Sequence, residues 1–237
     1  MIIPLLLFFG LTCYLHDADA RTIKVAVIDT GKSSDPNIKL CKNGHRDFTG
    51  KGIEDHYGHG TNVSMLINNA SMSSDYCIIV IKVWENHTGE FDLVEIFNYV
   101  RSLKPDIINM SGGYVIPTEI NKNKDSTYKA VENILNDGII FVNSAGNNNI
   151  NLDTNCVFFP ACYDDRMVVV GNMLIDGTRH PRSNYGNLVI DRWEMGTNIV
   201  TNKYLWTGTS QAAAIATGKI VLNLQKMYNS KPNKEAK

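Results

Sequence analysis

Three short segments carry side chains whose types and settings suit nucleophilic catalysis. Val25-Ala26-Val27-Ile28-Asp29-Thr30-Gly31 places a carboxylate directly after an apolar run. Taken alone, such an Asp reads as a solvated turn residue. Tyr57-Gly58-His59-Gly60-Thr61-Asn62-Val63 sets a histidine between glycines at the mouth of a helix-like apolar stretch, Val63–Ile67. An imidazole there can act as a base near neutral pH, although a structural histidine is the plainer reading. Gly208-Thr209-Ser210-Gln211-Ala212-Ala213-Ala214 leads into a helix whose first turn is made of small residues. A serine at a helix start is ordinarily a cap. Its reactive reading is a nucleophile, with small neighbours that admit a carbonyl and helix-start N–H groups that stabilise an oxyanion. Ser144-Ala145-Gly146-Asn147 follows another apolar run and adds an amide as a candidate oxyanion donor. Together, carboxylate, imidazole and hydroxyl make a triad in the chain order Asp, His, Ser. His56 lies one turn before His59, but this spacing without a nearby Glu or Cys set is a poor zinc signal, so no metal is assigned.

These residues need a scaffold that brings distant segments to one edge. Near-continuous apolar runs at 22–28, 77–83, 106–110, 139–143 and 167–171 suit strands buried on both faces, as in a parallel sheet. Between them, residues 92–103 place Leu93, Ile96, Phe97 and Val100 on one helical face, with Pro105 beyond its end. Residues 126–137 open on a Ser cap and close at Gly138, and 210–227 form a long apolar helix. The alternation predicts an α/β fold: a mostly parallel sheet with helices on both faces, in a single domain. In such sheets, sites gather at the carboxyl ends of the strands.

The length of 237 residues allows one sizeable core, and a formal net charge of −1 gives no basic excess for nucleic acid. Residues 2–15 are apolar but too few to span a bilayer. They read as the core of a secretory signal peptide, with Ala18-Asp19-Ala20 as its cleavage site and no Lys or Arg before it. The expected division is a signal peptide at 1–20, a catalytic domain at 21–228 and a solvated tail at 229–237. The mature chain would be extracytoplasmic and off the membrane, leaving Cys41, Cys77, Cys156 and Cys162. Cys156 and Cys162 flank a Pro-containing turn and pair first, which leaves Cys41 with Cys77. Four free buried thiols are the alternative.

The ordered motifs resemble those of the subtilisin-like serine proteases, the subtilases of peptidase family S8. Ile28-Asp29-Thr30-Gly31, His59-Gly60-Thr61, Ser144-Ala145-Gly146-Asn147 and Gly208-Thr209-Ser210 are similar to the family's four active-site motifs. Ile108-Asn109-Met110-Ser111-Gly112-Gly113 resembles its substrate-pairing segment, Thr88-Gly89-Glu90 the facing edge of the cleft, and Ser183-Asn184-Tyr185-Gly186 a further family feature. The resemblance covers about residues 22 to 228 and implies a three-layer subtilisin-like fold. It implies Ser210 as nucleophile, His59 as general base and acid, and Asp29 as the partner of His59. It makes Asn147 an oxyanion donor, and Ser111, Gly112 and Gly113 the strand that pairs with a protein or peptide substrate. A monomer without a cofactor is expected. Structural calcium is frequent in the family, but no Asp-rich loop here allows a site to be assigned.

Several positions depart from the family pattern. Asn62 stands where His is common, Ala214 where Pro is common in the nucleophile helix, and Met195-Gly196 replaces Pro-Gly. The pairing segment is one residue shorter, with Gly112 in place of a larger residue, and Asn148 near the specificity pocket brings no charge. The first motif-bearing strand begins almost at the cleavage site, leaving no room for the folding pro-segment common in subtilases. Two other functions are compatible with the same residues: a silent peptide-binding homologue and a transpeptidase.

Overall fold

Ile, Val and Ala alternate between two buried faces along β1 (Ile23–Asp29), and the rest of the sheet follows the same logic. The computed structural model describes residues 21–230, apart from 73, 87–90, 118–120, 122–123 and 202–203. The expected signal peptide, Thr88-Gly89-Glu90 and residues 231–237 lie outside the described residues. In chain order after β1 come β2 (Arg46–Asp47), α1 (His59–Ala70), β3 (Tyr76–Lys82), α2 (Leu93–Ser102), β4 (Ile107–Met110) and β5 (Tyr114–Val115). They are followed by α3 (Ser126–Asn136), β6 (Ile140–Ser144), β7 (Phe158–Phe159), β8 (Val168–Asn172), β9 (Arg192–Glu194), β10 (Ile199–Thr201), β11 (Tyr204–Trp206) and α4 (Thr209–Ser230).

Seven strands form one sheet in the order β2-β3-β1-β4-β6-β8-β9, with every neighbouring pair parallel. The pairs β5–β7 and β10–β11 are small antiparallel ribbons outside it. One face of the sheet, with Ala26, Ile28, Ile108 and Phe141, packs on Phe97 and Val100 of α2 and Val131 and Ile134 of α3. The other face, with Val25, Val27, Ile107 and Val142, packs on Val63 and Ile67 of α1 and Ala213 and Val221 of α4. The result is the expected α/β arrangement of three layers. Fully burying one such aliphatic side chain contributes about 1.5–3 kcal/mol, so each face is a substantial source of stability.

This topology positions the site. From β1 the chain moves outward to β3, then crosses back so that β4 lies on the other side of β1. The strand order therefore reverses beside β1, and a crevice opens at the carboxyl ends of β1 and β4. Asp29 ends β1 and Ser111 follows β4 at this place.

One helix start differs from the expectation. Ser126 does not cap α3; it is the first helical residue. Asp125 takes the extended backbone before it, and its carboxylate accepts the Tyr128 N–H. Two adjacent residues can each cap, and backbone geometry chooses the one outside the helix. At the other end of the chain, α4 extends to Ser230, so Asn229 and Ser230 of the expected tail are helical.

Both disulfides form, Cys41–Cys77 across 36 residues and Cys156–Cys162 across 6. Closing loops of these lengths constrains the unfolded chain by about 4 and about 2 kcal/mol respectively. Replacing Cys41 and Cys77 together with Ser is thus expected to destabilise the fold about twice as much as the same change at Cys156 and Cys162. Urea unfolding of the two double variants checks this ranking.

Candidate active site

The segment from Asp55 to Gly60 is held against the end of β1. Gly58 is the N-cap residue just before α1, with φ of 95°, and supplies no side-chain cap. Asp55 takes over that role. Its carboxylate accepts the N–H groups of Tyr57, Gly58 and Thr61 and the hydroxyls of Thr30 and Thr61. Partial burial opposes its charge, but the bonds from Gly58, Thr61 and Thr30 outweigh it and hold the Asp55 pKa below the usual carboxylate value. Gly60 meets the β1 turn so closely that a Cβ there would lie 2.9 Å from the Gly31 carbonyl oxygen. The glycines around His59 therefore provide both the turn and the close approach.

That approach brings His59 Nδ1 to 2.7 Å from Asp29 Oδ1, with both side chains buried. The Thr30 N–H donates to the same oxygen at 2.7 Å. Burial works against a charged imidazole, yet the Asp29 carboxylate, by its charge and its hydrogen bond, and Asp55 more weakly, raise the His59 pKa above its ordinary 6.5. Trp206 stands edge-on to the His59 ring with centroids 5.7 Å apart, and Tyr57 packs against Trp206.

Ser210 is the second residue of α4, in the turn where N–H groups have no acceptor within the helix. Its Oγ donates to the Ser111 carbonyl oxygen at 2.8 Å, and Ser111 Oγ donates to the Ser210 carbonyl oxygen at 3.0 Å. Behind this pair, Asn109 Nδ2 donates to Ser111 Oγ, and Thr217 Oγ1 donates to Asn109 Oδ1. Beside it, Gln211 Nε2 donates to Asn62 Oδ1 and Asn62 Nδ2 to Thr201 Oγ1. These polar side chains lie in the interior and satisfy one another, so the turn that carries Ser210 is tied to β4, α1 and β10. Asn62, a departure from the family pattern, has a definite place in this network. Helix α4 runs without interruption through Ala214.

The loop after β6 completes the edge. The Thr209 N–H donates to Asn147 Oδ1 at 3.0 Å, and the Gly146 N–H donates to Thr209 Oγ1 at 3.1 Å. Fixing Oδ1 in this way fixes the amide and leaves Nδ2 as its donor. Asn184, fully buried, anchors the loop: its Oδ1 accepts the Asn148 and Ile150 N–H groups and its Nδ2 donates to the Ala145 carbonyl. Gly112 faces the Trp84 ring, where a Cβ would come within 2.5 Å, so the segment after β4 and this indole fit only as a set. Asp29, His59, Ser111, Asn147 and Ser210 thus converge on one sheet edge. Cys156 and Cys162 form their bond elsewhere, next to β7.

One positioning residue, Asp55, was missed by sequence reasoning, and Asn184 was named only within its motif, without a role. Asp55 does carry a signal: it stands two and three residues before N–H groups of a Gly-containing turn, the setting of an Asx turn. Asn184 has only its motif neighbours. Among the described residues, no group of three or more His, Cys, Asp or Glu is placed to hold a metal ion, and no helix is long and apolar enough to cross a membrane.

The family model described as Subtilase family matches residues 20–237. The chain belongs to the subtilase family. It is 27% identical to Subtilisin-like protease 2 of Arthroderma otae over 91% of this chain and 50% of that protein. It is also 27% identical to an Extracellular serine proteinase of a Thermus species, over 94% of this chain and 55% of that one. The chain therefore spans about half the length of the curated relatives it matches. In three dimensions it is similar to a lanthipeptide protease (TM-score 0.73, 22% identity, 89% of this chain and 76% of that one). It is also similar to a cold adapted subtilisin-like serine proteinase (TM-score 0.72, 24% identity, 88% and 77%). These likenesses establish the subtilisin-like fold.

Proposed function

We propose that this subtilase is a secreted serine endopeptidase with Ser210 as nucleophile, His59 as general base and acid, and Asp29 as the partner of His59. The observation that carries the reading is the buried 2.7 Å pairing of His59 Nδ1 with Asp29, placed at the same sheet edge as Ser210. Nδ1–H held by a carboxylate leaves Nε2 as the basic nitrogen. For reaction, the Ser210 hydroxyl turns from the Ser111 carbonyl toward Nε2. Oγ attacks the scissile carbonyl as its proton passes to His59, and the tetrahedral oxyanion is met by Asn147 Nδ2 and the Ser210 N–H. His59 then protonates the leaving amine, and the acyl-enzyme is released by a water that His59 deprotonates. Ser111, Gly112 and Gly113 take the peptide backbone as an added strand, which makes recognition tolerant of sequence. Two disulfides support export to an oxidising compartment.

Casein digestion tests this reading. Product masses should add to substrate plus one water per cut, and no product should carry a new amide to an added amine. Products with such amides would make the chain a transpeptidase, and no cutting by the folded protein would make it a silent homologue. The pH profile tests His59. Catalysis needs the neutral imidazole, and the His59 pKa is raised from 6.5. Activity should therefore be lost as pH falls, with the acid limb of kcat/KM centred above pH 6.5. A limb centred below that value would contradict the Asp29–His59 coupling.

A further inference from the structure

Resting on the proposed peptidase reading, a cavity of about 220 Å³ adjoins the oxyanion side of the site, lined by Asn147, His180, Arg182 and Thr207. Its chemistry is one-sided. Asn147 has its Oδ1 occupied by the Thr209 N–H, so its amide offers Nδ2–H. His180 Nδ1 accepts the Arg182 N–H at 3.2 Å, so the imidazole carries its proton on Nε2 and offers a donor there. Thr207 Oγ1 accepts the Asn198 N–H at 2.9 Å and keeps its own hydroxyl proton to give. The Arg182 guanidinium is exposed and makes no ion pair or side-chain hydrogen bond among the described residues. Neighbouring Arg179, by contrast, is consumed by Asn149 Oδ1 and the backbone carbonyls of His180, Pro181 and Ser183. Among the described residues, no carboxylate lines the cavity. Four donors, one of them permanently cationic, suit an anion with planar oxygens, and a guanidinium fork matches a carboxylate.

The position restricts the source. Acyl-side residues pair with Ser111–Gly113, and none of these lines the cavity, whereas Thr207 lies three residues before Ser210. We infer that Arg182 and His180 form a subsite for a substrate carboxylate on the leaving-group side of the scissile bond. That carboxylate belongs either to an Asp or Glu side chain or to the free end of a short leaving fragment.

Internally quenched peptides differing only at the first two residues after the cut test this inference. With Glu, Gln or Lys at those positions, kcat/KM should rank Glu above Gln by about fivefold, with Lys lowest. Arg182→Ala should level the series, and Arg182→Glu should invert it, while the Gln peptide is still cut. The preference should shrink in high salt, because the guanidinium is exposed. A second arm compares short leaving fragments ending in a free carboxylate or an amide. An advantage confined to the free carboxylate assigns the subsite to chain ends, and one confined to Glu assigns it to side chains. Equal rates across the side-chain series together with equal rates for the free-carboxylate and amide fragments, or an unchanged preference in Arg182→Glu, would overturn the inference. If no peptide is cut, calorimetric binding of the Glu and Lys peptides to the protein separates the two claims. An Arg182-dependent ranking keeps the subsite and refutes the peptidase, while equal binding refutes both.

Discussion

Ser210→Ala is expected to lower kcat on peptide substrates by about 10⁶-fold, with KM nearly unchanged. The hydroxyl is the only atom group the substitution removes. The Asn147 amide and the Ser210 N–H remain, since Asn147 is held by the Thr209 N–H and not by Ser210. A remnant of catalysis about 10³-fold over water should therefore persist from oxyanion stabilisation and binding. Stability should change little, because what is lost is one hydrogen bond to the Ser111 carbonyl, worth about 1 kcal/mol, at a half-buried position. The Ser111 hydroxyl still donates to the residue-210 carbonyl in the variant, which keeps the turn in place. Stopped-time hydrolysis with a thermal melt on the same sample checks both halves of the prediction. A loss of only about tenfold would mean that another group is the nucleophile.

Asp29→Asn is expected to lower kcat by about 10⁴-fold while leaving the fold intact. The shapes of Asp and Asn match, but the proton inventory differs. In the native chain, Asp29 Oδ1 accepts from both the Thr30 N–H and His59 Nδ1–H. An Asn that turns its N–H₂ toward His59, giving up the Thr30 bond, stabilises the tautomer with the proton on Nε2. That imidazole cannot take the Ser210 proton. The variant also removes the charge that chiefly raises the His59 pKa, so the acid limb of the residual activity should move to lower pH. The two effects are separable: a purely structural role for Asp29 would reduce activity without moving the limb.

The depth to which the sheet was legible depended on burial. Strands β1, β3, β4, β6 and β8 are covered on both faces, so their apolar runs stand out as near-continuous blocks. The short strands β2, β5, β7 and β9–β11 carry no such block. They exist because distant backbone groups pair with them, as Tyr114 does with Phe159, and local composition does not encode that. The site divides similarly. Asp29, His59, Asn147 and Ser210 each sit where an element ends and a special turn begins, and this punctuation is visible in the chain. The groups that hold them are not. Thr217 reaches Asn109 across 108 residues, Gln211 reaches Asn62 across 149, and Asn184 holds Asn148 from 36 residues away. Each is an ordinary polar residue until the fold supplies its partner. The direction of the Ser210 hydroxyl, toward the Ser111 carbonyl, is likewise a property of the assembled edge.

The proposed chemistry stands or falls with Ser210 as an activated nucleophile. The most direct measurement is to treat the folded protein with a fluorophosphonate, digest it and locate the adduct by mass spectrometry. A single adduct is predicted on the peptide containing Ser210, formed in the wild type and strongly slowed in His59→Ala. An adduct at any other serine, or a folded wild-type protein that takes up no reagent, would contradict it.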